Sequence, residues 1–166
     1  MVLGIDLRPC GAGLKDRLSG DLAALFIYGS LLFPEVLRAL LGRVPDRAPA
    51  TAEGWRIAGL AGRRYPGLVP ASTHASGFVV TRLNVDEWRL LDVFEDDAYE
   101  LRQIELDGRR SALTYVYPHV DALSVDWDRG HFADLHLASY VKSCRAWRER
   151  YYSSVGKLEA HQRPNS

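Results

Sequence analysis

The spacing of apolar and polar positions changes several times along the chain, and each change predicts an element. Residues 24–28, ending at Gly29, form an unbroken apolar run that predicts a buried strand. Pro34 then stands in the first turn of PEVLRALLG, whose spacing predicts a helix that Gly42 closes. Runs rich in β-branched and aromatic residues predict further strands at 54–60, 67–69, 76–83, 99–106 and 111–117, divided by Gly, Pro and Asp-Gly turn signals. Most of these strands are consecutive, so most are expected to pair antiparallel. Asn84 with Glu87 has the spacing of a capping box and opens NVDEWRLLDVFE, predicting a helix to about residue 94. A last helix is predicted from 128 to about 152, with Ala133, Leu137, Tyr140, Val141, Cys144, Trp147 and Tyr151 on one stripe and Arg145, Arg148 and Glu149 off it. The flanks lack such periods. The expected organisation is one α+β domain over 24–152, between an N-terminal extension, 1–23, and a flexible, polar C-terminal tail, 153–166.

Composition narrows the function. A chain of 166 residues with 47% hydrophobic and 25% charged residues is long enough for one sizeable core. Formal net charge is zero, and the adjacent basic pairs Arg63-Arg64 and Arg109-Arg110 fall inside predicted strands, so no electrostatic footprint for nucleic acid is visible. The two cysteines, Cys10 and Cys144, belong to no CxxC or Cys/His pattern, and the five histidines show no ligand spacing. No metal, cofactor or disulfide is therefore expected, and a reducing compartment is. No apolar run approaches the roughly 20 residues of a membrane span, and the N-terminus lacks the layout of a signal peptide. These features predict a cytoplasmic protein with a small-molecule partner, and neither nucleic acid nor a membrane.

Two short stretches can carry chemistry. On a helical wheel Glu95 projects between Leu91 and Trp88, inside the arc that Leu90, Leu91, Phe94 and Trp88 form. A carboxyl drawn towards burial there, beside Asp92, Asp96 and Asp97, has its pKa raised by desolvation and by like charge, which suits general acid/base work near neutral pH. The bland alternative is a solvated helix end. In the Tyr28-Gly29-Ser30-Leu31 turn, Gly29 permits a backbone conformation closed to other residues, and successive N–H groups ahead of a helix can form a nest for a carboxylate or an oxyanion. The alternative here is Gly and Ser serving turn geometry alone.

Taken in order, the YGSL turn, the YPGLVP segment at Tyr65 to Pro70 and the LDVFEDDAY helix end resemble the γ-glutamylcyclotransferase-like superfamily. YGSLLFPEVLRALLGRVP and WDRGHFADLHLASYV resemble more narrowly its avirulence-induced-gene-2-like branch. The resemblance implies a small, mostly antiparallel β-barrel with flanking helices and a side cavity. It also implies a metal-free reaction in which the α-amine of a γ-glutamyl amide attacks its own γ-carbonyl, releasing 5-oxoproline and a free amine without a covalent enzyme intermediate. Carried over by motif, the catalytic glutamate matches Glu95 and the substrate-cradling turn matches Tyr28, Gly29, Ser30 and Leu31. Two departures bear on substrate choice: Asp96 stands where members commonly have Gly, and Leu101 where Arg is frequent, with Arg102 one place later.

Tyr99, four residues past Glu95, and Tyr117, at the end of a predicted strand, are candidates to hydrogen-bond the substrate or Glu95; either also fits as an ordinary tyrosine at the edge of the core. A different class of function stays open at this level, a non-catalytic module binding a small carboxylate or a peptide on the same fold. Glutathione-type peptides, γ-glutamyl amino acids and γ-glutamyl-lysine share the glutamyl half and differ in what leaves.

Overall fold

The computed structural model describes residues 24–161, with side chains to residue 157. The N-terminal extension, 1–23, lies outside the described residues. A five-stranded sheet has the order β2-β3-β1-β5-β4, built from β1 (Leu25–Ile27), β2 (Arg47–Ala58), β3 (Gly67–Val80), β4 (Glu100–Leu106) and β5 (Arg110–Val116). Every pairing is antiparallel except β1 with β5. The helices are α1 (Pro34–Leu41), α2 (Val85–Phe94), α3 (Arg129–Leu135) and α4 (Leu137–His161).

β1 is apolar throughout because both of its faces are covered. Leu25 and Ile27 enter the core under the helices, with Trp88, Leu91, Phe132 and Trp147; Phe26 enters a second core inside the curve of the sheet, with Leu68, Val79 and Leu106. That inner core is rich in alanine (Ala50, Ala52, Ala75, Ala112), and small side chains let the strands bend towards one another. At the far side the Asp107 N–H donates to the Thr51 carbonyl at 2.9 Å, and the Thr51 N–H to Asp107 Oδ1 at 2.9 Å, so the β4–β5 turn touches β2. The edges meet at that turn without forming a ladder. The expected barrel is thus a strongly curved, open sheet.

Three expectations need correction. The predicted strands at 67–69 and 76–83 are one strand, β3, whose polar centre lies exposed against a similarly long β2 that begins at Arg47, ahead of the predicted start at 54. The two long strands change register between Glu53 and Trp55, so Gly54 marks an irregularity inside β2 and not its beginning. The predicted last helix is broken at His136, where φ is −123° and the ring packs on Phe132; no Gly or Pro marks the joint. α4 then runs past 152 to His161, and within it the Ser154 hydroxyl donates to the Arg150 carbonyl at 2.9 Å instead of leaving the helix to cap a turn. Finally, Arg63-Arg64 lie on the β2–β3 loop and Arg109 on the β4–β5 turn, with only Arg110 in a strand.

The caps follow the sequence. Pro34 opens α1, and Gly42, at φ +79°, closes it with its N–H on the Arg38 carbonyl at 2.9 Å. At the start of α2 the Asn84 side chain accepts from the Glu87 N–H at 2.9 Å while Glu87 Oε2 accepts from the Asn84 N–H at 3.0 Å. Among the described residues no helix is long and apolar enough to cross a membrane.

Central packing around β1 leaves no room at Gly77, where a Cβ would stand 2.2 Å from the Ile27 carbonyl oxygen and 2.9 Å from the Phe26 ring. Gly77→Ala is expected to force β3 away from β1 and to lower stability by about 3 kcal/mol, measured by urea denaturation; a loss below about 0.5 kcal/mol would contradict the close approach.

Candidate functional site

β1 ends at Ile27, and the chain turns through Tyr28 and Gly29 into a single 3-10 turn, Ser30–Leu32, ahead of α1. Tyr28 fixes the turn from below: its hydroxyl donates to the Tyr115 carbonyl at 2.5 Å and accepts from the Leu68 N–H at 3.3 Å. The Leu32 N–H closes on the Gly29 carbonyl at 2.9 Å, and the first amides of the turn, at Ser30 and Leu31, have no acceptor within it. Gly29 also meets a constraint from a distant part of the chain. Its backbone, φ −117° and ψ −130°, is not left-handed, and a Cβ would lie 2.8 Å from Pro66 Cγ and 3.0 Å from Cδ. The constraint is contact with the YPGLVP loop, not a left-handed backbone.

Glu95 closes α2. Its N–H donates to the Leu91 carbonyl at 3.0 Å, and its extended backbone, φ −65° and ψ 144°, takes the chain out of the helix. Glu95 lines a cavity of about 710 Å³ together with Tyr28, Gly29, Ser30 and Leu31. It keeps some accessible surface because it faces that space, yet protein surrounds its carboxyl. Burial foremost, then the charges of Asp92 and Asp96, push its pKa up to about 8.

Tyr99 also lines the cavity and donates its hydroxyl to the Pro66 carbonyl at 2.6 Å, so it braces the wall that abuts Gly29. Tyr117 stands apart from the lining; its ring packs on Tyr99, with centroids 5.7 Å apart, and its hydroxyl donates to Asp121 at 3.0 Å. The structure therefore brings Glu95, the Tyr28–Leu31 turn and Tyr99 to one cavity and sets Tyr117 behind it.

Sequence reasoning missed the opposite wall. Tyr140, Ser143, Cys144, Ala146, Trp147 and Arg150 of α4 line the same space. Tyr140, Cys144 and Trp147 lay on the stripe assigned to the core; Ser143, Ala146 and Arg150 form a second row beside it at spacings of three and four. That row, small and polar next to an apolar one, was the available signal. Ser30 Oγ donates to Tyr140 Oη at 3.2 Å and joins the turn to this wall. Tyr65 and Asp96 complete the rim.

Most groups facing the cavity are locked in one protonation state. Burial raises the pKa values of Tyr28, Tyr99 and Tyr140, so all three remain phenols. Burial likewise pushes the Cys144 thiol up to about 12, which makes it a poor nucleophile. Glu95 is the carboxyl there whose proton is exchangeable near neutrality. Among the described residues no cluster of His, Cys, Asp or Glu could hold a metal ion. What this arrangement can do is bind a small molecule against backbone amides in a largely apolar space and move a proton at Glu95.

Comparison with known proteins gives the family and the fold. Residues 25–132 match the family described as gamma-glutamyl cyclotransferase, AIG2-like. AIG2-like protein D of Arabidopsis thaliana is 33% identical over 76% of this chain and 89% of its own length; AIG2-like protein C of the same plant is 38% identical over 67% and 70%. The solution structure of At3g28950.1 from Arabidopsis thaliana superposes with a TM-score of 0.57 at 27% identity, covering 87% of this chain and 92% of that one. The crystal structure of c4763, a uropathogenic E. coli-specific protein, has a TM-score of 0.55 at 15% identity over 69% of this chain and 98% of that one, a likeness of fold.

The Glu95 pKa has a measurable cost in stability. A carboxyl that holds its proton to about pH 8 when folded, against 4.5 otherwise, leaves the folded state with more bound protons between those values, so stability falls as pH rises through that window. In Glu95→Gln this loss disappears. The variant is expected to match the wild type near pH 5 and to exceed it at pH 8 by up to about 3 kcal/mol in urea melts. Equal stability at both pH values would show a solvated Glu95.

Proposed function

Because the chain belongs to the AIG2-like γ-glutamyl cyclotransferase family, we propose that it cleaves a γ-glutamyl amide by intramolecular cyclisation, releasing 5-oxoproline and a free amine, with Glu95 as general acid/base. The observation that carries this reading is the enclosure of the Glu95 carboxyl, with a pKa near that of an α-amine, in the cavity that the Tyr28–Leu31 turn also lines.

The chemistry follows from those parts. The α-ammonium of the substrate gives one proton to the Glu95 carboxylate and becomes a nucleophile. Its nitrogen bonds to the γ-carbonyl carbon, and the oxyanion that develops is met by the free amides of the Ser30–Leu32 turn. Glu95 returns the first proton to the departing nitrogen as the C–N bond breaks, then takes the second proton from the ring nitrogen and passes it to the freed amine, so the products are a lactam N–H and an ammonium and the protein ends as it began. Matched proton affinities make these transfers inexpensive. Curling the glutamyl chain against the Gly29–Pro66 wall brings amine and carbonyl to near-attack distance, which is worth several powers of ten in rate. Tyr99 holds that wall in place and supports the turn from its far side.

The leaving amine faces α4, where Ser143, Ala146, Trp147 and Arg150 leave the cavity open. A volume of about 710 Å³ exceeds what a glutamyl group fills and accommodates a sizeable amine. The same reading assigns the protein to the reducing cytoplasm, in keeping with Cys144 as a free, protonated thiol.

Incubation with a panel of γ-glutamyl amides, scored by 5-oxoproline release, tests the proposal. Turnover by the wild type is expected to fall roughly 10²-fold or more in Glu95→Gln with KM little changed, since glutamine preserves shape but accepts no proton. Full activity in that variant would end the mechanism. A wild type that binds these amides without turnover would be the non-catalytic binding module.

A further inference from the structure

Asp96 stands where the resemblance leads one to expect glycine, and it is the most heavily bonded side chain at the rim of the cavity. Its Oδ1 accepts from the Ala98 N–H at 2.9 Å, and its Oδ2 accepts from Arg63 Nη1 at 3.0 Å and from the Tyr65 hydroxyl at 3.1 Å. Its own carbonyl accepts from the Tyr99 N–H at 3.0 Å. Arg63 is held in turn by the rings of Tyr65 and Tyr117, whose centroids lie 5.8 and 5.9 Å from the guanidinium carbon. These contacts join two loops that share no strand pairing, the one after α2 and the one between β2 and β3.

Glu95 has little else to hold it on that side. The helix has ended, and the segment from Glu95 to Tyr99 belongs to no helix or strand. A glycine at position 96 would leave these residues free to rotate; an aspartate bonded both to its own loop and to the loop carrying Tyr65 and Pro66 does not. We propose that the Arg63–Asp96–Tyr65 clasp positions Glu95, with Asp96 fixing how the neighbouring carboxyl enters the cavity and Arg63 setting how much of the Asp96 charge reaches it.

The surroundings of Glu95 make that control effective. The other acidic group close to it is Asp92 on α2, which accepts a hydrogen bond from the Tyr115 hydroxyl of β5 at 2.9 Å. Tyr28 from the end of β1, Tyr99 ahead of β4, Tyr65 of the β2–β3 loop and Tyr140 and Cys144 of α4 face the same space as neutral groups. Arg150 of α4 lies at the exposed mouth. Asp96 repels the Glu95 carboxylate and favours its protonated form, and the Arg63 guanidinium, paired with Asp96, blunts that repulsion. Removing either partner must therefore move Glu95 in opposite directions.

This inference rests on Glu95 as the acid/base, and it is tested by a readout that does not need turnover. Carbon-13 titration of glutamate-labelled protein, with Glu95→Gln to assign the signal, reports the Glu95 midpoint directly. Asp96→Asn is expected to lower it by about 1 pH unit, and Arg63→Gln to raise it by a smaller amount. Arg63→Lys, which keeps the charge, is expected to restore the wild-type value. The acid limb of the kcat/KM profile for 5-oxoproline release should move with the midpoint in each case. A merely structural ion pair would lower the melting temperature of both variants and leave the midpoint where it was, which would overturn the proposal. Should Asp96→Asn fail to fold, the Arg63 pair decides by itself: a midpoint that does not rise in Arg63→Gln overturns the clasp. Midpoints that move as expected, in a protein that releases no 5-oxoproline, would support the clasp and refute the cyclotransferase reading.

Discussion

A buried phenol ties the sheet together where the site begins, beside the bond from the Tyr117 N–H to the Leu68 carbonyl. At the end of β1 the chain must leave a strand that has neighbours on both sides, and β1 no longer fills the gap between β3 and β5 there. The Tyr28 hydroxyl spans the gap, donating to the Tyr115 carbonyl on β5 and accepting from the Leu68 amide on β3. Backbone groups that would be orphaned in a buried position are paired, and the chain is released into a turn at a fixed point. Everything placed by that turn depends on this arrangement: the amides of Ser30 and Leu31, the Pro66 contact at Gly29, and the bond from Ser30 to Tyr140.

The cavity above is costly. Its wall is mostly aromatic and aliphatic, and the phenols within it spend their hydroxyls on carbonyls, on Asp92 or Asp96, or on Ser30. Such an environment keeps neutral whatever can be neutral, which is why the tyrosines and Cys144 are inert while Glu95, starting from a lower value, is brought near neutrality and no further. The fold gives up stability in alkaline solution to hold one poised carboxyl, a bargain familiar at sites where function opposes folding.

How much of this was readable depended on whether the cause was local. The capping box at Asn84, the Pro34 start of α1 and the apolar stripe of α4 are set within a few residues of chain, and the structure repeats them. Glu95 could be placed on the inner arc of α2 because the wheel is also local. Gly29 was singled out on local backbone grounds, whereas the contact that excludes a side chain there comes from Pro66, thirty-seven places on. The continuity of β3 across its polar centre was hidden because only pairing with β2 sustains it. The outer row of α4, Ser143, Ala146 and Arg150, was not singled out, for periodicity separates inside from outside but does not distinguish solvent from a cavity.

The cavity is also divided along the chain. The turn, the Pro66 wall and Glu95 all lie within residues 25–132, the stretch that matches the family, whereas the opposite wall comes from a helix that starts at Leu137. Substitutions on that helix can recut the space offered to one half of a ligand while leaving the proton-handling half untouched. Such a partition separates the two walls along the chain, so that the shape of the cavity on the α4 side can change without moving the turn or the glutamate.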